Sequence, residues 1–198
     1  MSSIKLKHSG GNSVSISAPS SNPAADRTLL LPGDGDSTID TLGRAGNILQ
    51  VVQSSATATV SNTTTTFADS GLSGTITPTS SSSKILVNIV QSVNLKMTSA
   101  VGGGFQILRG STVIQEAAAI DGSNRPIQIY FGNVASSVNW YFHHPLQVLD
   151  SPSTTSATTY KTQMRLAISG SSRAISAQPQ TDGSIDGISR MILMEVSA

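Results

Sequence analysis

The sequence predicts an all-β protein: a short N-terminal segment of strands and extended chain (residues 1–46), then an antiparallel β-sandwich head (residues 47–198). A jelly roll is the first choice for the head and an immunoglobulin-like sandwich the second. Three observations predict this. Serine, threonine and 17 glycines leave only 12% of the residues charged, a bias toward extended chain and turns. Apolar residues come in short clusters divided by turn residues, at the spacing of a sandwich or barrel. Helical periodicity is nearly absent, and its best candidate, "IQEAAAIDG" from Ile114 to Gly122, suffices for one or two connecting turns.

The N-terminal segment offers "IKL", "VSI" and "LLL", separated by stretches such as "HSGGNS" and "APSSNPAADR". A period of two puts Ile4 and Leu6 on one strand face, and Val14 and Ile16 on another. A lone two-stranded hairpin is marginal in water, so such strands need neighbours. The triplet Leu29, Leu30 and Leu31, closed by Pro32 and the polar run "GDGDSTID", poses the same demand. Identical copies of the chain are the simplest cover, with three leucine triplets facing one another across a common axis. The alternative is that the segment folds back on the head as an edge strand.

From Ile48 onward the clusters lengthen into about ten strands, from "NILQVVQ" to "SRMILMEVS". In "QILRGSTVIQ", Gly110-Ser111 between apolar runs suits a two-residue type II′ hairpin turn. "YKTQMRLAI" alternates, with Tyr160, Thr162, Met164, Leu166 and Ile168 inward and Lys161, Gln163 and Arg165 outward. "KILVNIV" and "RMILMEV" are apolar on both faces. They are expected to be central strands, or strands whose outer face meets another subunit. Ile192 and Met194 therefore join Leu29, Leu30 and Leu31 as candidate subunit-interface residues. Pro78, Pro126, Pro145 and Pro152 are read as punctuating strands rather than interrupting them.

Composition and motifs narrow the function classes. A formal net charge of +1 supplies no basic stripe for nucleic acid and no polybasic patch for anionic lipid. There is no cysteine, hence no disulfide framework or thiol catalysis. "MSSIKLKHSGGNSVSI" has no apolar core of a secretory signal, and no run of 18 apolar residues suggests membrane insertion. Of the histidines His8, His143 and His144, the last two are adjacent, so a strand points them to opposite faces and they cannot share a metal. One is expected to pack and the other to face water. Asp34, Asp36 and Asp40 have calcium-like spacing without the rest of the loop, and read as a turn. "AVGGGF" lacks the lysine of a phosphate loop and reads as a mobile loop. No "GxSxG" elbow is present, and scattered acids give no support for sugar hydrolysis. No cofactor or catalytic residue is assigned.

Trp140, Phe142 and Phe131 are expected in the core, as large aromatics usually are. Tyr141 and Tyr130 fall on the other face of their strands, where either could serve a subunit seam or a glycan platform. The loops "SAVGGG", "DGSNRP" and "SGSSR" are candidate tips, with Arg125 and Arg173 as anion contacts beside Tyr141 in a receptor surface.

The stretches "SIKLKHSGGNSVSISAPSSNPAADRTLLLPG", "FADSGLSGTITPTSSSSKILV", "VLDSPSTTSATTYKTQMRLA" and "ISRMILMEVSA" resemble virion fibre-type proteins of tailed phages that infect cyanobacteria and other aquatic bacteria. The resemblance spans nearly the whole chain. It implies a homotrimer, held on the virion by its N-terminal segment and carrying a jelly-roll head similar to the trimeric complement and tumour-necrosis-factor heads. The chain lacks a coiled-coil or triple-β-helix shaft, so a short tail fibre or appendage fits better than a long fibre. Its partners would be itself, other virion proteins and a host glycan or envelope protein, after assembly in the host cytoplasm. A capsid decoration or head fibre, a monomeric carbohydrate-binding module and a glycan-cleaving enzyme are the competing readings.

Overall fold

The structure, a computed structural model, describes residues 3–7, 9–11, 13–17, 45–97, 101–116, 129–132, 136–170, 172–181 and 185–198. Among these residues every regular element is a strand. The chain divides into two compact units, Met1–Ile39 and Asp40–Ala198. In the first, β1 (Ser3–Lys7) and β2 (Ser13–Ser17) form an antiparallel hairpin whose register sets Ile4 against Ile16 and Leu6 against Val14. Leu29, Leu30 and Leu31 lie outside the described residues.

The second unit contains β3 (Ile48–Ala56), β4 (Val60–Asn62), β5 (Ala68–Ile76), β6 (Lys84–Met97), β7 (Val101–Arg109), β8 (Thr112–Glu116) and β9 (Ile129–Phe131). It continues with β10 (Val138–Asp150), β11 (Thr158–Leu166), β12 (Ala174–Ala177), β13 (Gln180–Thr181), β14 (Ile185–Asp186) and β15 (Ser189–Val196). One sheet runs β3-β15-β6-β12-β4, with β10 paired to β6; the second runs β5-β11-β7-β8, with β9 paired to β7. Among the eight principal strands the first pairs with the last (β3 with β15) and the second with the seventh (β5 with β11). The third pairs with the sixth (β6 with β10) and the fourth with the fifth (β7 with β8). A long hairpin rolled over on itself has this pairing, consistent with a jelly-roll-like head.

Alternation explains which faces are buried. On β11, Tyr160, Thr162, Met164 and Leu166 are buried while Lys161, Gln163 and Arg165 are half-buried on the other side. The strand stops at Leu166, so Ile168, expected on the inner face, is exposed instead. "KILVNIV" and "RMILMEV" are central strands as expected: β6 runs between β15 and β10, and β15 between β3 and β6. Their inner residues Ile85, Val87, Ile89, Met191 and Leu193 meet Phe105, Ile107 and Met164 of the second sheet in one core. The β7–β8 connection is Gly110-Ser111, and Gly110 takes φ +57° while Ser111 stays out of the left-handed region, as a type II′ turn requires.

Three further expectations about these strands are corrected. "VGGGF" of the stretch "AVGGGF" is the start of β7, with Gly102, Gly103 and Gly104 buried, so these glycines form no tip loop. A Cβ on Gly103 would stand 2.9 Å from Ile175 Cδ1 and 3.0 Å from the Arg165 carbonyl oxygen, so the glycine serves a close approach. Ile114–Glu116, expected to begin a helical turn, lies in β8, where pairing with β7 outweighs local propensity. Pro145 sits in the middle of β10. That strand pairs only with β6 among the described residues, and an edge strand has one row of N–H groups that needs no ladder partner.

A polar network crosses the core. Gln91 on β6 donates to Ser189 Oγ on β15 at 2.7 Å and accepts from Thr162 Oγ1 on β11 at 3.0 Å. Thr162 in turn bonds Ser70 on β5. The Gln178 amide, with its oxygen turned to Gln91 and Ser189 (2.8 Å each), donates to the Ser70 and Ala58 carbonyls at 2.9 and 3.1 Å. All five side chains are buried, and every member has partners, which fixes how the two sheets register on each other.

Candidate interaction face

The outer face of the β3-β15-β6-β10 layer holds the candidate site. Register places Val51 opposite Met194, Met194 opposite Leu86, and Leu86 opposite Leu149. These four side chains form an unbroken aliphatic row across four strands. Val51 and Leu149 at its ends are 57% and 53% exposed, with Leu86 and Met194 half-buried between them. Ile192 sits one row further along, between Gln53 and Asn88, and Ile48 and Val196 pair on the opposite flank. Ile192 and Met194 thus both face outward, on the side away from Met191 and Leu193.

Two inward carboxylates hold this row in place. Glu195, next to Met194, is buried and accepts hydrogen bonds from Gln50 Nε2 at 2.6 Å and from Thr79 N and Oγ1 at 2.8 Å each. Burial opposes its ionisation, but these donors outweigh burial and hold the carboxyl at about 2, well below its ordinary value. Asp150, next to Leu149, accepts two 2.8 Å bonds from Arg109 Nη1 of β7 and one of 2.8 Å from the Tyr160 hydroxyl of β11. Burial first, and then the Asp150 carboxylate, raise the Tyr160 hydroxyl far above its usual pKa, so it stays a proton donor. Asp150 therefore ties the first sheet to the second.

The outer face of the second sheet is of the opposite character. Gln106 donates to Gln163 at 2.6 Å, Gln163 donates to Asp69 at 2.6 Å, and Lys161 reaches Asp69 at 3.0 Å. This ladder spans β7, β11 and β5. Its first effect on Asp69 is the Gln163 hydrogen bond, which lowers the carboxyl pKa.

At the far end of the first sheet, beyond Val90, the outer face turns polar. Tyr141, 44% exposed, stands opposite Asn94, which stands opposite Ser176, which stands opposite Ser61. His143 is exposed on the same face, while His144 points inward and stacks on Phe105 with centroids 5.5 Å apart. Burial lowers the His144 pKa. Trp140 departs from its expected core position: it is 46% exposed, with one face stacked on Phe131 at 5.0 Å. Phe131 and Phe142 are half-buried at the margin of the core, because β9 is only three residues long and covers little of β10. Arg173 lies in a turn where its Nη1 donates to the Ser169 carbonyl at 3.2 Å. Arg125, the loop "DGSNRP", His8, Asp34, Asp36 and Asp40 lie outside the described residues. No group of three His, Asp or Glu residues among the described residues could hold a metal.

Sequence reasoning names Ile192, Met194 and Tyr141, which the structure places on this outer face, but it does not name Val51, Leu86 and Leu149. Each sits in a short apolar cluster that gives no hint of its cross-strand partner, and the row exists only through register. Fold and face together define a class: an all-β sandwich with one hydrogen-bonded polar sheet face and one sheet face that is aliphatic at one end and polar at the other. No protein-family model matches the chain, and no curated protein matches it.

Proposed function

We propose that this protein is a non-enzymatic structural subunit of a tailed-phage virion, a short homotrimeric tail fibre or appendage that takes part in host attachment. The aliphatic row Val51–Met194–Leu86–Leu149 is the observation that carries the self-association. Apolar side chains aligned across four strands gain by leaving water, at about 25 cal/mol per Å². A second copy of the chain supplies a matching strip by identity. The β1–β2 hairpin makes the same demand, since two strands alone are marginal. The virion setting rests on the resemblance of the quoted sequence stretches to phage fibre proteins, as does the use of residues 1–46 to grip other virion proteins.

The test is the solution mass of the full chain by light scattering. Three chains of 20.4 kDa each are expected. A monomer at working concentration sinks the trimer and favours a carbohydrate-binding module. Adsorption of the purified trimer to host envelope then separates an attachment fibre from a capsid decoration, which would not adsorb.

A further inference from the structure

The outer face of the first sheet changes chemistry along its length. At one end the head begins: Gly46 N donates to the Ser197 carbonyl, and Ile48, Val196 and Lys84 lie side by side. Asn94 is ten residues along β6 from Lys84, about 33 Å at strand rise. The three most exposed aliphatic side chains among the described residues, Ile48, Val51 and Leu149, lie toward the first end. The exposed rings Tyr130, Trp140 and Tyr141 lie toward the other, since Tyr130 pairs with Gly102 at the start of β7 and Trp140 with Leu95.

The neighbours of Tyr141 are short, hydrogen-bonding and almost all neutral. Asn94 faces it across the strands and donates to Asn139 Oδ1 at 3.1 Å. Asn139 and His143 flank it along β10, and Ser92 and Lys96 flank Asn94 along β6. These neighbours include one lysine and no carboxylate. Nucleic acid would require several cations, and a protein hot spot sets its tyrosine, tryptophan or arginine in a well-packed, desolvated pocket, whereas Tyr141 stands 44% exposed among polar side chains. A pyranose ring presents an apolar C–H face bordered by hydroxyls that both donate and accept. An exposed phenol ring fits that face, and side-chain amides offer a donor and an acceptor to the hydroxyls.

The geometry points to a neutral-glycan platform at this far end, with Tyr141 as the stacking ring and the exposed Asn139 as the hydroxyl-binding amide, positioned by the hydrogen bond that Asn94 donates to it. It rests on the attachment reading above, whose ligand class it names. The far-end position leaves the aliphatic row free for subunit packing, so one face serves both tasks at different heights.

The experiment is affinity electrophoresis of the full-length protein through gels containing glucan, galactan or mannan, with light scattering on the same samples. At least one of these neutral polysaccharides should retard the protein. Tyr141→Ala should weaken retardation about tenfold, Tyr141→Phe should keep most of it, and Asn94→Ala should weaken it. Trp140→Ala, on the opposite side of the strand, should leave it unchanged. Retardation by none of the three, or retardation that survives Tyr141→Ala, overturns the inference, as does loss through Trp140→Ala alone. A trimer that binds none removes the platform and leaves the fibre reading; a monomer retarded through Tyr141 does the reverse.

Discussion

Glu195 of β15 and Gln50 of β3 are cross-strand neighbours, and the amide donates to the carboxylate at 2.6 Å on the inner side of the sheet. One residue away on each strand, Met194 meets Val51 on the outer side. The polar pair therefore fixes the register that aligns the apolar pair, and a buried carboxylate is used to place a surface methionine. Because the Thr79 backbone and hydroxyl also bond Glu195, the anchor extends into the β5–β6 connection.

Acid should loosen the head through this anchor. Glu195 titrates at about 2 in the folded protein against an ordinary value of 4.5, so its contribution is full above pH 4.5 and is lost as pH falls toward 2. His144 acts in the same direction from a higher pH: its folded pKa lies below the ordinary 6.5, so below that value the unfolded chain binds the proton more readily. Melting temperature should thus fall as pH drops below 6.5 and fall further below 4.5. Glu195→Gln should cost about 2–3 kcal/mol at neutral pH and flatten the lower part of that curve. An unchanged slope below pH 4.5 in the variant would contradict the assignment to Glu195.

The aliphatic row should control assembly without controlling folding. Val51→Lys combined with Leu149→Lys places two charges on exposed ends of the row, where a lone head tolerates them. If the proposed trimer packs through this row, sedimentation should show monomers, while the far-ultraviolet circular dichroism stays that of a β-sandwich. Retention of the trimer in this double variant would place the seam elsewhere.

How far the sequence reveals these features depends on whether they are local. Alternation in "YKTQMRLAI" is a property of one strand, and it located Tyr160, Thr162, Met164 and Leu166 correctly because β11 is buried on one face only. Gly110-Ser111 is likewise local, since a two-residue turn restricts its own φ angles. Trp140 was misplaced because its burial depends on the length of β9, a strand that pairs with β7 in the other sheet. The glycines of "AVGGGF" suggest freedom in isolation, yet Gly103 is dictated by Ile175 and Arg165, more than sixty residues away in sequence. Polar members of the core network, Gln91 and Gln178, carry no signal of burial, because their partners come from separate strands.

That network should resist even near-isosteric change. Thr162→Val keeps the shape of the side chain but removes the donor to Gln91 Oε1 and the partner of Ser70. Two buried polar atoms then lose a bond in a site closed to water, at a cost of about 1–3 kcal/mol. Urea unfolding of the full-length protein, compared at equal protein concentration, should show a lower midpoint with an unchanged slope. A midpoint equal to that of the parent protein would mean that the remaining partners compensate.

Gly103 offers the sharpest test of the packing argument, because its conformation is not left-handed and an alanine would be free of backbone strain. Any cost must come from space. The Cβ would meet Ile175 Cδ1 at 2.9 Å, which a rotamer change could relieve, and the Arg165 carbonyl oxygen at 3.0 Å, which it could not. That carbonyl belongs to β11, whose register with β7 sets Arg165 against Gly104 and Leu166 against Gly103. Relief would require the two strands to part, so Gly103→Ala should destabilise by about 1–3 kcal/mol. Adding Ile175→Val should recover only a part of this loss, since the smaller side chain leaves the carbonyl where it was. Thermal melting of the single and double variants decides between the two obstacles: full recovery in the double variant would assign the whole cost to Ile175 and none to the backbone of β11.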